Sequence, residues 1–249
     1  MSGNTKMLSP GQQPAKELSH QQKQYGFLFC LSRSLLRLFS EKYAMQGERP
    51  LDPVIYIGHH QNTKGAIRLM AWLDNPVRLW MLSVFFDKKS CFDHYSHYTL
   101  TERKGLNKAN ARALAAIYTA YVPRLAKSMR AIPVYRNSIR AMNVTIKDSV
   151  EALCSGESIL LFPDIDYTSE SGSIGELYTG FINIDKHYYA QKGEHIRFVP
   201  LVANLATKKI IYGNASVIRD GESFIEEKKR VIAELQNEMN KEETSEAVF

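Results

Sequence analysis

Ser158-Ile159-Leu160-Leu161-Phe162-Pro163-Asp164-Ile165-Asp166-Tyr167-Thr168 is the stretch on which the reading of the whole chain turns. Its apolar run is short, lacks polar alternation and stops at a proline, which describes a strand covered on both faces rather than a helix. Just upstream, Gly156 closes a helical pattern that Ser138 caps and whose apolar face is Met142, Ile146, Val150 and Leu153. Downstream, a polar loop runs to about Gly175 and Glu176 to Tyr189 has a helical pattern. Ile196 to Val202, with Pro200 inside it, and Ile210-Ile211-Tyr212 then read as two more strands. Helices alternating with short buried strands predict a single α/β domain, a mixed, mostly parallel sheet flanked by helices.

The amino-terminal half extends the pattern. Val54-Ile55-Tyr56-Ile57 reads as a buried strand, Gly58 to Gly65 as its loop, and Ala66 to Leu73 as a helix. Asn107 to Arg130 predicts a long helix with a break near Pro123, and Ala131 to Arg136 a strand. From Tyr25 to Tyr43, Leu28, Leu31, Leu35, Leu38 and Phe39 share one helical face, with Arg33 and Arg37 opposite. Such a basic amphipathic helix either lies on a membrane, its arginines near lipid phosphates, or packs on its own domain. The expected organisation is a flexible polar tail over 1–22, the domain over 23–220 with this helix at about 25–43, and a charged helix with an acidic tail over 221–249.

The chain has 249 residues, 44% hydrophobic and 23% charged, which fits a folded domain and excludes a chain disordered throughout. The apolar stretches near Tyr25 and Ala71 are cut by Arg33, Asp74 and Arg78, short of the roughly 20 apolar residues a membrane-spanning helix needs. The first residues are polar and carry no secretory pattern. Cys30, Cys91 and Cys154 are too scattered for a disulfide framework or a metal knuckle, which points to an intracellular, cytoplasmic setting. Net charge is +6, with −4 over residues 222–249 and +10 before them, so the body suits an anionic partner: nucleic acid, a membrane surface or a phosphorylated molecule.

Active groups in such sheets collect at the carboxyl ends of strands. Those ends carry His59-His60, Arg136, Phe162-Pro163-Asp164-Ile165-Asp166-Tyr167-Thr168 and Val199-Pro200-Leu201. In order and spacing these resemble the four motif blocks of the glycerolipid, or lysophospholipid, acyltransferase superfamily. Those blocks are Asn-His followed after four residues by Asp, a hydrophobic strand ending in Arg, Phe-Pro-Glu-Gly-Thr-Arg-Ser, and a strand with a central Pro. Gly175-Glu176-Leu177-Tyr178-Thr179-Gly180-Phe181 is also similar to the segment after the third block, and the resemblance spans about residues 25–215.

The resemblance implies transfer of a fatty acyl group from acyl-CoA or acyl carrier protein to a lysophospholipid-like or other lipid hydroxyl. The expected setting is the cytoplasmic side of a membrane to which the protein binds peripherally. It implies His60 as general base, Arg136 as the clamp on an acceptor phosphate, and Asp164 as acceptor or imidazole partner, with Asp166 a second candidate. Phe162, Pro163, Thr168 and Pro200 are then substrate-binding positions, and no metal or cofactor is needed. The block-one Asp is missing: Gly65 holds its place if His60 is the base, Lys64 if His59 is. His60 is preferred, because Gly65 permits a tight turn whereas Lys64 sets a positive charge beside an imidazolium. Ile165 and Tyr167 replace the Gly and Arg of block three. Either a substitute carboxylate, Asp164 or Asp166, reaches the imidazole, or the protein is an inactive lipid-binding or scaffold relative of the same fold.

Other patterns carry less. A calcium loop at Asp164 fails because Ser169 stands where Gly is needed and Gly175 where Glu is. His94 and His97 beside Cys91 lack a second ligand pair at zinc spacing and read as structural. Trp72, Trp80, Phe85 and Phe86 read as core or acyl-pocket lining. No nucleic-acid motif accompanies the basic Lys104 to Arg130 segment, so no nucleic-acid partner is expected.

Overall fold

The computed structural model describes residues 25–51, 53–136, 138–166, 168 and 173–244, so the expected 1–22 tail and the last five residues of the acidic tail lie outside the described residues. In chain order the elements are α1 (Phe27–Phe39), β1 (Ala44–Gln46), β2 (Ile55–Gly58), α2 (Lys64–Trp72) and β3 (Val77–Leu82). A short 3-10 turn, α3 (Lys88–His94), a π-helical segment (Tyr95–Arg103) and α4 (Lys108–Ser128) lead to β4 (Ile132–Val134). Then come α5 (Ile139–Cys154), β5 (Ser158–Leu161), a 3-10 turn (Thr179–Ile182), α6 (Asn183–Lys192), β6 (Phe198–Asn204), β7 (Lys209–Tyr212) and α7 (Phe224–Thr244).

The strands form one sheet in the order β1-β7-β6-β2-β5-β3-β4. All neighbours are parallel except the β6–β7 pair. Every residue of β2, β5 and β6 is buried, as the unalternated apolar runs require of strands covered on both faces. On one face Ile55, Ile57, Ile159, Leu161, Phe198 and Val202 join apolar residues of α5, α6 and α7. On the other, Tyr56, Leu160, Val199 and Leu201 pack with Leu69 and Leu73 of the α2 region.

Local chemistry sets the helix ends. Ser138 Oγ accepts from the Ala141 N–H at 3.0 Å, and Asn107 Oδ1 from that of Asn110 at 2.9 Å, each satisfying a donor the first turn leaves open. α4 runs unbroken through Pro123, against expectation. Pro123 is buried beside Val122 and Ala126, and that packing offsets the roughly 3 kcal/mol a mid-helix proline costs. The helix expected from Glu176 begins instead at Thr179, because Glu176 to Tyr178 are extended and pair with Pro163 to Ile165.

α1 ends at Phe39 rather than near Tyr43, and its arginines face inward. Arg33 donates to the carbonyls of Ala71 and Leu73, and Arg37 to that of Ala71 at 2.6 Å, so both cap the carboxyl end of α2. They are therefore engaged with protein, not held out towards lipid phosphates. The terminal charged helix packs on the sheet: Val231, Leu235 and Met239 of α7 are buried in its core.

Candidate active site

β2 and β5 lie side by side, yet their following helices depart to opposite faces, α2 to the Tyr56 face and α6 to the Ile57 face. That divergence makes their carboxyl ends the switch point at which open α/β sheets place ligands. The residues delivered there are His59-His60 from β2 and Phe162-Pro163-Asp164 from β5.

Asp164 lies between the two rings. Its Oδ1 accepts from His59 Nδ1, and its Oδ2 from His60 Nδ1 at 2.8 Å and the His60 backbone N–H at 3.1 Å. Asp164 is 3% exposed and His59 5%, whereas the His60 side chain is 26% exposed. Burial raises the Asp164 carboxyl, but the hydrogen bonds from His59 and His60 outweigh it and lower it from 3.8 to about 2. The carboxylate is therefore ionised and can only accept. Both Nδ1 atoms must donate, so in the neutral His60 ring the lone pair a general base uses falls on Nε2.

The loop is shaped for this contact. A Cβ on Gly58 would fall 2.5 Å from Phe162 Cε1, so glycine admits the ring that lies 4.8 Å from His60, centroid to centroid. A Cβ on Gly65 would lie 2.3 Å from the His59 carbonyl oxygen, while the Gly65 N–H closes a turn onto His60 O at 3.0 Å. Gln61, Asn62 and Thr63 between them have φ of 46°, 50° and 73°, left-handed values that are uncommon for residues other than glycine and most strained for β-branched Thr63.

Arg136, three strands from β2 and so about 14 Å across the sheet, is exposed and stacks over Tyr178 at 4.7 Å. The Tyr178 N–H donates to Pro163 O at 2.8 Å, which ties the guanidinium to the Asp164 segment. Phe162 and Pro163 are buried. Three sequence candidates are placed otherwise. Asp166 is exposed and accepts from the N–H and hydroxyl of exposed Thr168, at 3.1 and 2.6 Å, so those two form a local turn; the carboxylate on the imidazoles is Asp164. Pro200 is not at a strand end but buried within β6, opposite Ile57, where Gly213 leaves room for its ring; it packs the sheet.

One residue escaped the sequence reading. Arg103, at the end of the π-helical segment, donates to Asn62 Oδ1 at 3.4 Å and brings a second guanidinium to the histidine loop. No local pattern announces it, because the contact spans 41 positions.

No protein-family model and no curated protein sequence matches the chain. Among solved structures it is similar to the 1-acyl-sn-glycerophosphate (LPA) acyltransferase PlsC from Thermotoga maritima, at 13% identity and a TM-score of 0.48, over 91% of this chain and 80% of that one.

Proposed function

We propose that the protein is an acyltransferase that moves a fatty acyl group from a thioester donor, acyl-CoA or acyl carrier protein, to the hydroxyl of a lysophospholipid-like acceptor at a membrane surface. The observation that carries this reading is the half-exposed His60 ring held through Nδ1 by a buried carboxylate at a sheet switch point. The order of the four motif-like blocks along the chain also supports it.

In the proposed reaction, His60 Nε2 takes the acceptor's hydroxyl proton as that oxygen bonds to the thioester carbonyl carbon. Asp164 stabilises the resulting imidazolium, as the carboxylate of a hydrolase triad does. The carbon–sulfur bond then breaks, and the leaving thiolate takes the proton back from His60, so ester and thiol are the products. Arg136 and Arg103 supply cations for an anionic head group. The apolar face of α1, with Phe27 82% and Phe39 83% exposed alongside Leu31, Leu35 and Leu38, supports docking on the lipid that supplies the acceptor. No helix among the described residues is long and apolar enough to cross a membrane.

The test is release of free thiol from acyl-CoA and from acyl carrier protein thioester against a panel of lysolipids. His60→Ala is expected to lower turnover at least about 100-fold. Asp164→Asn, which removes the tautomer control, is expected to lower it by about three to four orders of magnitude. Turnover unaffected in a folded His60→Ala protein rejects the base assignment. Lysolipid binding without thiol release in the parent protein points to the non-catalytic lipid binder instead.

A further inference from the structure

We propose that His59 is a positioning residue: by donating its Nδ1–H to Asp164 Oδ1 it fixes the orientation in which the other carboxylate oxygen holds His60. This rests on the reading of His60 as the base. A carboxylate gripped at one oxygen turns freely about its broad terminal torsion. Asp164 is gripped at both, by His59 on Oδ1 and by the ring and backbone of His60 on Oδ2.

The arrangement is costly and specific. Consecutive side chains of a strand point to opposite sides of the sheet, so two neighbouring histidines meet one carboxylate only where the strand has ended. β2 ends at Gly58, and the chain then passes into the left-handed turn at Gln61, Asn62 and Thr63. His59 is nearly as buried as Asp164, while His60 keeps its outward exposure, so the two rings occupy different places on the same acid.

Charged groups on the elements around the pair include Lys64 opening α2, Arg103 on Asn62, Asp166 two residues after Asp164, Arg136 over Tyr178, and Glu176, whose backbone pairs with Ile165. All are common to the variants below.

The test uses nitrogen-15 labelled histidine in the full chain, with His60 signals assigned by their loss in His60→Ala. In the parent protein both rings are expected as Nδ1–H tautomers. In His59→Leu the share of the neutral His60 ring in the Nδ1–H tautomer is expected to fall at least about twofold, because the loosened carboxylate no longer holds that nitrogen. In His59→Asn, whose amide N–H takes over the donor, it is expected to stay at the parent share. An unchanged tautomer share in His59→Leu, or an equal fall in both variants, overturns the proposal. Should His59→Leu not fold, the parent spectrum decides, because a His59 ring protonated at Nε2 cannot be the donor to Asp164. None of these readings requires turnover. A protein that shows them yet transfers no acyl group keeps this inference and loses the proposed reaction; one that transfers acyl groups without them does the reverse.

Discussion

Gly65 stands where the acyltransferase pattern has its aspartate, and the geometry around it explains the exchange. Its missing Cβ would fall 2.3 Å from the His59 carbonyl, a backbone atom with no freedom to move aside. The carboxylate arrives from β5 as Asp164, which already occupies Nδ1 of His60 at 2.8 Å. Restoring the motif by Gly65→Asp is therefore expected to damage the site. The overpacked turn costs about 1–3 kcal/mol, and the second carboxylate meets a ring nitrogen already taken. Thermal melting and thiol release check this; a Gly65→Asp protein that melts with the parent and turns over faster contradicts it. The histidines, Arg136 and the acidic loop were legible in the sequence because each follows an apolar strand. That Asp164 rather than Asp166 reaches the rings was not. The choice depends on β2 and β5 being neighbours and on Thr168 engaging Asp166, and neither is written in the local spacing.

At the scale of elements, α1 divides into a protein-bound basic face and an exposed apolar one. Its arginines hold the carboxyl end of α2, while Leu31, Leu35 and Leu38 remain exposed. Cations on the last carbonyls of a helix satisfy open acceptors and favour the helix dipole. Arg33→Ala with Arg37→Ala is expected to cost about 2 kcal/mol, since each half-buried guanidinium, discounted for solvent screening, contributes on the order of 1 kcal/mol net. Scanning calorimetry should show Tm lower by about 4–8 °C. Leu31→Asp with Leu35→Asp should leave Tm near the parent value and abolish flotation with lipid vesicles. Vesicle binding lost on arginine removal in a still-folded protein, and kept on leucine removal, would reverse the assignment. The helical period of α1 was readable, but a period cannot say which partner the polar face has. β3 was missed for a related reason. Val77 to Leu82 has no strand period to read: Arg78 is the one polar residue among Val77, Leu79, Trp80, Met81 and Leu82, and the segment sits inside a longer apolar stretch. Its absence hid the link that carries Arg136 to the same end of the sheet as His60.

Across the whole molecule, histidine–carboxylate pairs occupy both ends of the parallel strands, with opposite consequences for pH. At the carboxyl ends, Asp164 has a folded-state pKa of about 2 against 3.8. A carboxyl lowered by folding contributes stability above its unfolded value and loses it as pH falls through the folded one. At about 1.4 kcal/mol per pKa unit the contribution is on the order of 2 kcal/mol, present at pH 5 and gone near pH 1. At the amino ends, His195 precedes β6, with Nδ1 on Asp185 at 2.8 Å, Nε2 on Asp220 at 3.3 Å, and its ring stacked on Tyr189. Burial works against its charge, but the bonds to Asp185 and Asp220 win and raise its pKa above 6.5. Burial raises the Asp185 carboxyl as well. Even so, its oxygens accept from His195 and from the Ile196 N–H at 3.0 Å, so the ion is the form this contact holds. A histidine raised by folding has the opposite sign: its stability is complete below 6.5 and drains away as pH climbs through the folded-state value. The parent protein should therefore lose stability on both sides of a plateau, through Asp164 in acid and His195 towards neutral and alkaline pH. Tm measured from pH 2 to 9 should keep its acid limb in His195→Gln while the decline above pH 6.5 flattens, and Asp164→Asn should do the converse. A neutral-to-alkaline decline that persists unchanged in His195→Gln would show that the amino-end pair does not carry it.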